Sequence, residues 1–172
     1  YLLAGSKSIK LQVFVDSTHI VKINNNGDTL WTKTVYADLT NWDDGNSIIE
    51  TENGEIVFIG TIRSKPVFVR MDANANVIVR KKVIFDESKK ADPLTIVETD
   101  NGNFLYLVHT DSASPLLKLD KNGDVIWKKT FSYKNSIIGV LSILKLDNDK
   151  YLLYGGTQTD TREIPMVKTH LL

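Results

Sequence analysis

The chain contains no cysteine, which excludes disulfides, thiolate metal sites and cysteine nucleophiles, while leaving its compartment open. It has no excess of either charge: 21 acidic residues balance 21 basic ones. Neither nucleic acid nor an anionic membrane surface is therefore expected to attract it as a whole. No apolar run approaches the roughly 20 residues needed to span a bilayer as a helix, so no transmembrane segment is expected in this chain. No segment shows helical periodicity. HExxH, Gly-x-Ser-x-Gly and phosphate-cradling glycine patterns are all missing. The first residue is Tyr1 rather than methionine, inside the apolar run YLLAG. That suggests a processed or truncated start, with any export signal or lipid-anchoring cysteine upstream.

What is present is repetition. VKINNNGDTLW, VRMDANANVIV and LKLDKNGDVIW begin at residues 21, 69 and 117, 48 apart each time. A second pattern, SIIETENGEIVFIG, TIVETDNGNFLYLV and SILKLDNDKYLLYG, begins at 47, 95 and 142. Each unit holds four apolar runs of strand length, A to D, rich in valine, isoleucine, leucine, phenylalanine and tyrosine. Asn53-Gly54, Asn101-Gly102 and Asn148-Asp149 separate A from B and read as hairpin turns in which both residues accept a positive φ. NNNG, ANAN and KNG separate C from D.

A period near 48 with four antiparallel strands per unit predicts an all-β chain of four-stranded propeller blades. Runs A and B are almost continuously apolar, as expected where neighbouring sheets cover both faces. Lys33, Lys81 and Lys129 recur in run D, where lysine on an edge strand discourages aggregation. The units divide as a partial blade at 1–36, blades at 43–84 and 92–133, and a partial blade at 138–172. About three and a half blades make an incomplete ring, since propellers close with about 4–8. The remaining blades are expected from the same polypeptide or from a second copy.

The spacing Asp120, Gly123, Trp127 resembles the repeat of quinoprotein-like propellers, whose tryptophan docks between blades. Trp31 follows Gly27 at the same distance, with Asn24 in place of the aspartate; the middle unit keeps Asp72 but has Ala75 and Val79. The whole unit is also similar to propeller repeats of exported and lipoprotein-type envelope proteins of the Bacteroides group. The resemblance implies the architecture and an extracytoplasmic place, periplasm or cell surface. It does not imply quinone chemistry, because no motif here supplies the cofactor pocket, and no cofactor is expected.

Residues with chemical potential are few. Asp120 and Asp124 lie in DKNGD, which lacks the glycine at position six and the acid at twelve of a calcium loop. His19, His109 and His170 occupy unrelated repeat positions, so no metal site is expected. Glu50 and Glu98 share a repeat position near a possible axis, but Lys145 stands there in the third unit. The D–A and B–C connections are the long ones, among them YADLTNWDDGNS, FDESKKADP, TIRSK and TQTDTREI. Trp42, beside Asp43 and Asp44, is the best contact residue within them. The resulting expectation is a non-catalytic binding or scaffold propeller of a bacterial cell envelope, taking a protein or glycan through its long-loop face. The alternatives are a lyase or hydrolase with its site at the axis mouth, or a structural subunit of a larger envelope assembly.

Overall fold

The structure is a computed structural model that describes residues 1–10, 14–35, 45–62, 65–85, 91–110, 113–133 and 136–157. Every regular element among them is a strand. The chain divides into two compact units, Tyr1–Val83 and Ile84–Leu172.

The first unit holds two antiparallel sheets. One is β1 (Leu2–Lys10), β2 (Phe14–Ile23) and β3 (Thr29–Val35), in that order. The other is β4 (Gly45–Glu50), β5 (Ile56–Ile62), β6 (Lys65–Met71) and β7 (Val77–Lys82), again in chain order. The second unit repeats the plan. Its four-stranded sheet is β8 (Ala91–Glu98), β9 (Phe104–Thr110), β10 (Leu116–Leu119) and β11 (Val125–Lys129). Its other sheet is β12 (Ser132–Tyr133), β13 (Ser136–Lys145) and β14 (Tyr151–Thr157). Each four-stranded sheet is thus one A–B–C–D repeat folded as a meander. The short β12 pairs with β13, so the fourth sheet begins at Ser132, just after β11 has ended.

Register recurs with sequence. Every C–D pair carries a one-residue bulge at the same place, after Lys22, Arg70 and Lys118. Every A–B pair among the described residues carries one at the equivalent repeat position of strand A, residues 46, 94 and 141. The C–D bulges follow from one turn built three times. Asn24, Asp72 and Asp120 each use Oδ1 to accept the backbone N–H groups two and four residues on, at 2.8–2.9 Å. Asparagine serves in the first turn as well as aspartate does in the others because the work is done by an oxygen acceptor, not by charge. The residue three places on adopts a positive φ: 87° at Gly27, 58° at Ala75 and 81° at Gly123. For Ala75 this left-handed conformation costs about 1 kcal/mol. Its fully buried methyl, in the apolar cluster between the first and second sheets, offsets that cost.

The Asn-Gly turns differ from expectation. Thr51 and Thr99 each close a five-residue loop, and only Gly54 and Gly102 have positive φ, at 76° and 72°. Asn53 and Asn101 stay in the ordinary right-handed region, giving a type I turn with a glycine bulge. The pair with both residues left-handed is Asn148-Asp149, at 58° and 55°. The connection written as TIRSK is also shorter than expected. Strands β5 and β6 leave only residues 63–64 between them.

Packing explains the apolar runs. In the first unit, Ile20 with Leu2 and Trp31 of the first sheet meets Ile56, Phe58, Val69 and Met71 of the second. In the second unit, Leu105, Leu107 and Leu116 meet Ile138, Val140, Ile143, Tyr151 and Leu153, with Trp127 against the same cluster. Both tryptophans therefore dock against the core shared by two stacked sheets.

Candidate functional site

At the end of the sheets that carries the A–B and C–D turns, polar side chains hold adjacent sheets together. In the first unit Lys22 Nζ lies 2.8 Å from Glu50 Oε1, joining strand C of one sheet to strand A of the next. Lys33 Nζ donates to Asn76 Oδ1 at 3.0 Å, reaching the following sheet's C–D turn. Lys33 is therefore a cross-sheet tie and not only a charged edge.

The second unit has a denser arrangement. Lys145 Nζ lies 2.8 Å from Asp100 Oδ1. The backbone N–H of Asp149 donates to Asp100 Oδ2 at 3.1 Å, and that of Asp100 donates to Asp149 Oδ1 at 3.3 Å. The A–B turns of the third and fourth sheets thus clasp each other reciprocally. Tyr151 Oη completes the clasp by donating to Asp149 Oδ1 at 2.7 Å.

The hydrogen bond from Tyr151 and that from the Asp100 backbone hold the Asp149 carboxyl below its ordinary value of 3.8. Burial, and then the bond to Asp149, push the Tyr151 phenol well above its ordinary range. In the first unit the Asp72 carboxyl is likewise lowered, first by the backbone N–H of Asn76. Groups depressed by folding stabilise fully above the unfolded value and lose that contribution as pH falls through the folded one. Thermal melts should therefore be flat from neutrality to about pH 5 and decline modestly below about pH 4, since both carboxyls are solvent-exposed. Asp149→Asn should soften the acid limb, and an unaltered limb in that variant would remove Asp149 as a contributor.

The residues singled out in the sequence fall as follows. His19 Nδ1 is 3.0 Å from Thr34 Oγ1, and His109 Nδ1 is 3.1 Å from Ser114 Oγ, each within its own sheet. His170, Trp42, Asp43 and Asp44 lie outside the described residues. Asp120, considered as part of a calcium loop, spends its Oδ1 on its own turn. Glu98 ends β8. Among the described residues no group of three histidine or acidic side chains could hold a metal ion, and no helix is long and apolar enough to cross a membrane. The Asp100–Asp149 clasp was missed in the sequence, where two like charges 49 residues apart give no sign of contact.

No protein-family model matches the chain, and no curated protein matches it. Among solved structures it is similar to a protein of unknown function from Bacteroides caccae. That match has a TM-score of 0.56 and 16% identity over 88% of this chain and 50% of the other. It is also similar to a structure from a study of two prolyl endopeptidases, with a TM-score of 0.51 and 14% identity over 83% of this chain. The chain spans half the length of the first and 20% of the second. At these identities the likeness is one of fold. The sheets are blades of an incomplete propeller. The blade turns are built for cohesion, and the D–A connections between β3 and β4 and between β7 and β8 pass through residues 36–44 and 86–90, outside the described segments.

Proposed function

We propose that the chain is a non-catalytic binding or scaffold propeller of a bacterial cell envelope that engages a protein or glycan at the end of its blades bearing the D–A connections. The observation that carries this reading is the use made of the repeat's recurrent polar residues. Asn24, Asp72 and Asp120 brace turns, and Lys22, Glu50, Lys145 and Asp100 tie sheets together. Recurrent chemistry thus serves the scaffold, whereas the D–A segments, YADLTNWDDGNS and FDESKKADP, vary from unit to unit. Variable loops on a rigid framework are where recognition residues concentrate.

The extracytoplasmic place rests on the resemblance of the Asp-Gly-Trp repeat to quinoprotein-like and Bacteroides-group envelope propellers. Trp42 supplies an aromatic contact flanked by Asp43 and Asp44, suited to a sugar ring or a peptide with a basic neighbour.

The test is retention of the purified protein on immobilised envelope polysaccharide and on envelope protein fractions, alongside localisation in the source cells. Trp42→Ala should weaken retention about tenfold, the loss of about 1.4 kcal/mol of contact energy, while leaving the melting temperature unchanged. Equal retention of the variant would remove Trp42, and a cytoplasmic location would overturn the envelope assignment. Turnover of an ester, peptide or glycoside by the pure protein would favour the enzymatic alternative.

A further inference from the structure

The fourth sheet turns one face to the third sheet and leaves the other uncovered among the described residues. The uncovered face is not polar. Leu141, Leu144 and Tyr154 are exposed by 57%, 58% and 51%. These positions have counterparts 47 residues earlier, where Leu94, Val97 and Leu107 belong to the face that the third sheet buries under the fourth. The match extends to register. Leu144 pairs with Leu152 as Val97 pairs with Leu105, and Ser142 pairs with Tyr154 as Thr95 pairs with Leu107. Leu141 and Leu94 both stand at the strand A bulge. The fourth sheet thus repeats, outward, the face that it covers inward.

The first unit shows the opposite side of the same contact. On the second sheet, the paired residues Ile56–Met71 and Phe58–Val69 bury themselves against the first sheet. On the first sheet, Leu3 pairs with Val21, and the Ile23 N–H donates to the Tyr1 carbonyl, in the same two registers. There Tyr1 and Leu3 are exposed by 74% and 53%. An apolar face this regular is a contact surface, since solvated strand faces alternate to polar residues.

We infer that the outward face of β13–β14 is a blade-to-blade interface, covered by a further sheet of the same repeat carried in the same polypeptide. The covering sheet has to present apolar residues at the positions held by Ile56, Phe58, Val69 and Met71 in the second sheet. The same polypeptide is the source because the Bacteroides caccae chain, which accommodates 88% of this one, has as much length again outside the match. This inference is independent of the proposed function.

The test is made on the polypeptide as the cell makes it. Native mass spectrometry should find a single chain well above the 19.4 kDa of this sequence, and monomeric. Tyr154 in that protein should resist nitration by tetranitromethane. Leu144→Asp/Tyr154→Asp should lower its melting temperature by about 10 °C or more, as charges placed in a core do. A native chain of 19.4 kDa would overturn the inference, whether as a monomer or as a head-to-tail pair that covers the face with a second copy. Ready nitration of Tyr154, or a shift below about 2 °C in the double variant, would overturn it equally. The nitration result decides the matter if the variant does not fold.

Discussion

Gly155→Ala is expected to destabilise the protein by about 3 kcal/mol, at the upper end of ordinary overpacking. The cause is backbone against backbone. A Cβ on Gly155 would run into the Gly139 carbonyl oxygen and lie 2.7 Å from Val140 Cα. No side-chain rotamer can relieve such a contact, because the opposing atoms belong to the ladder of the paired strand. Val140 pairs with Gly155 beside the strand A bulge, where the two backbones are drawn together. The melting temperature should fall by about 6–12 °C. Gly156 provides the control on the same strand, since a Cβ there meets nothing within 4 Å. Gly156→Ala should change the melting temperature by less than about 2 °C. Equal behaviour of the two variants would show that β13 and β14 are not paired in this register.

Leu107→Ala is expected to cost about 3 kcal/mol through lost burial and a residual cavity. Leu107 is fully buried on β9 and faces the cluster formed with Ile143, Tyr151 and Leu153 of the fourth sheet. Its loss should be coupled to that of Leu153. A double-mutant cycle with Leu153→Ala should depart from additivity by at least about 0.5 kcal/mol, the signature of residues in contact. Strict additivity would separate the third sheet from the fourth.

These effects rest on features that the sequence displays unevenly. Strand order and the four-stranded unit were legible because the apolar runs and turn residues recur together, so each copy corroborates the others; the short β12 was not anticipated, and the strand expected in PMVKTHLL lies outside the described residues. The C–D turn was legible in position through Asn24, Asp72 and Asp120. Its middle copy was harder to read: Ala75 takes the left-handed conformation with its methyl in a core, a balance of strain against burial that composition does not reveal. The Asn53-Gly54 and Asn101-Gly102 turns were placed correctly and typed wrongly, while Asn148-Asp149 has both residues left-handed as expected. Asn-Gly fits a two-residue turn, but the Thr51 and Thr99 hydroxyls, which bond the Glu55 and Asn103 carbonyls, stabilise a longer loop instead. The β5–β6 ladder runs on through the pair Ile62 and Lys65, further than their polar surroundings suggest.

The site was less legible than the fold. Asp100 and Asp149 read as solvated turn acids, yet each accepts the other's backbone N–H, with Lys145 and Tyr151 completing their partners. That contact depends on two sheets stacking with their turns in line, which no local pattern encodes. Trp42, Asp43 and Asp44 were chosen because nothing in the repeat requires them. Their role is tested by binding, not by packing.

Because the chain has no cysteine, stacking can be measured with a single engineered pair. Asp100→Cys/Asp149→Cys places thiols on two turns where each residue's backbone N–H donates to the other's carboxylate at 3.1–3.3 Å. Mild oxidation of the folded protein should close this disulfide nearly completely, whereas Asp100→Cys/Asp120→Cys, on two different turns of one sheet, should keep its thiols free. Free thiols at 100 and 149 in a folded protein would contradict the stacking of successive repeats.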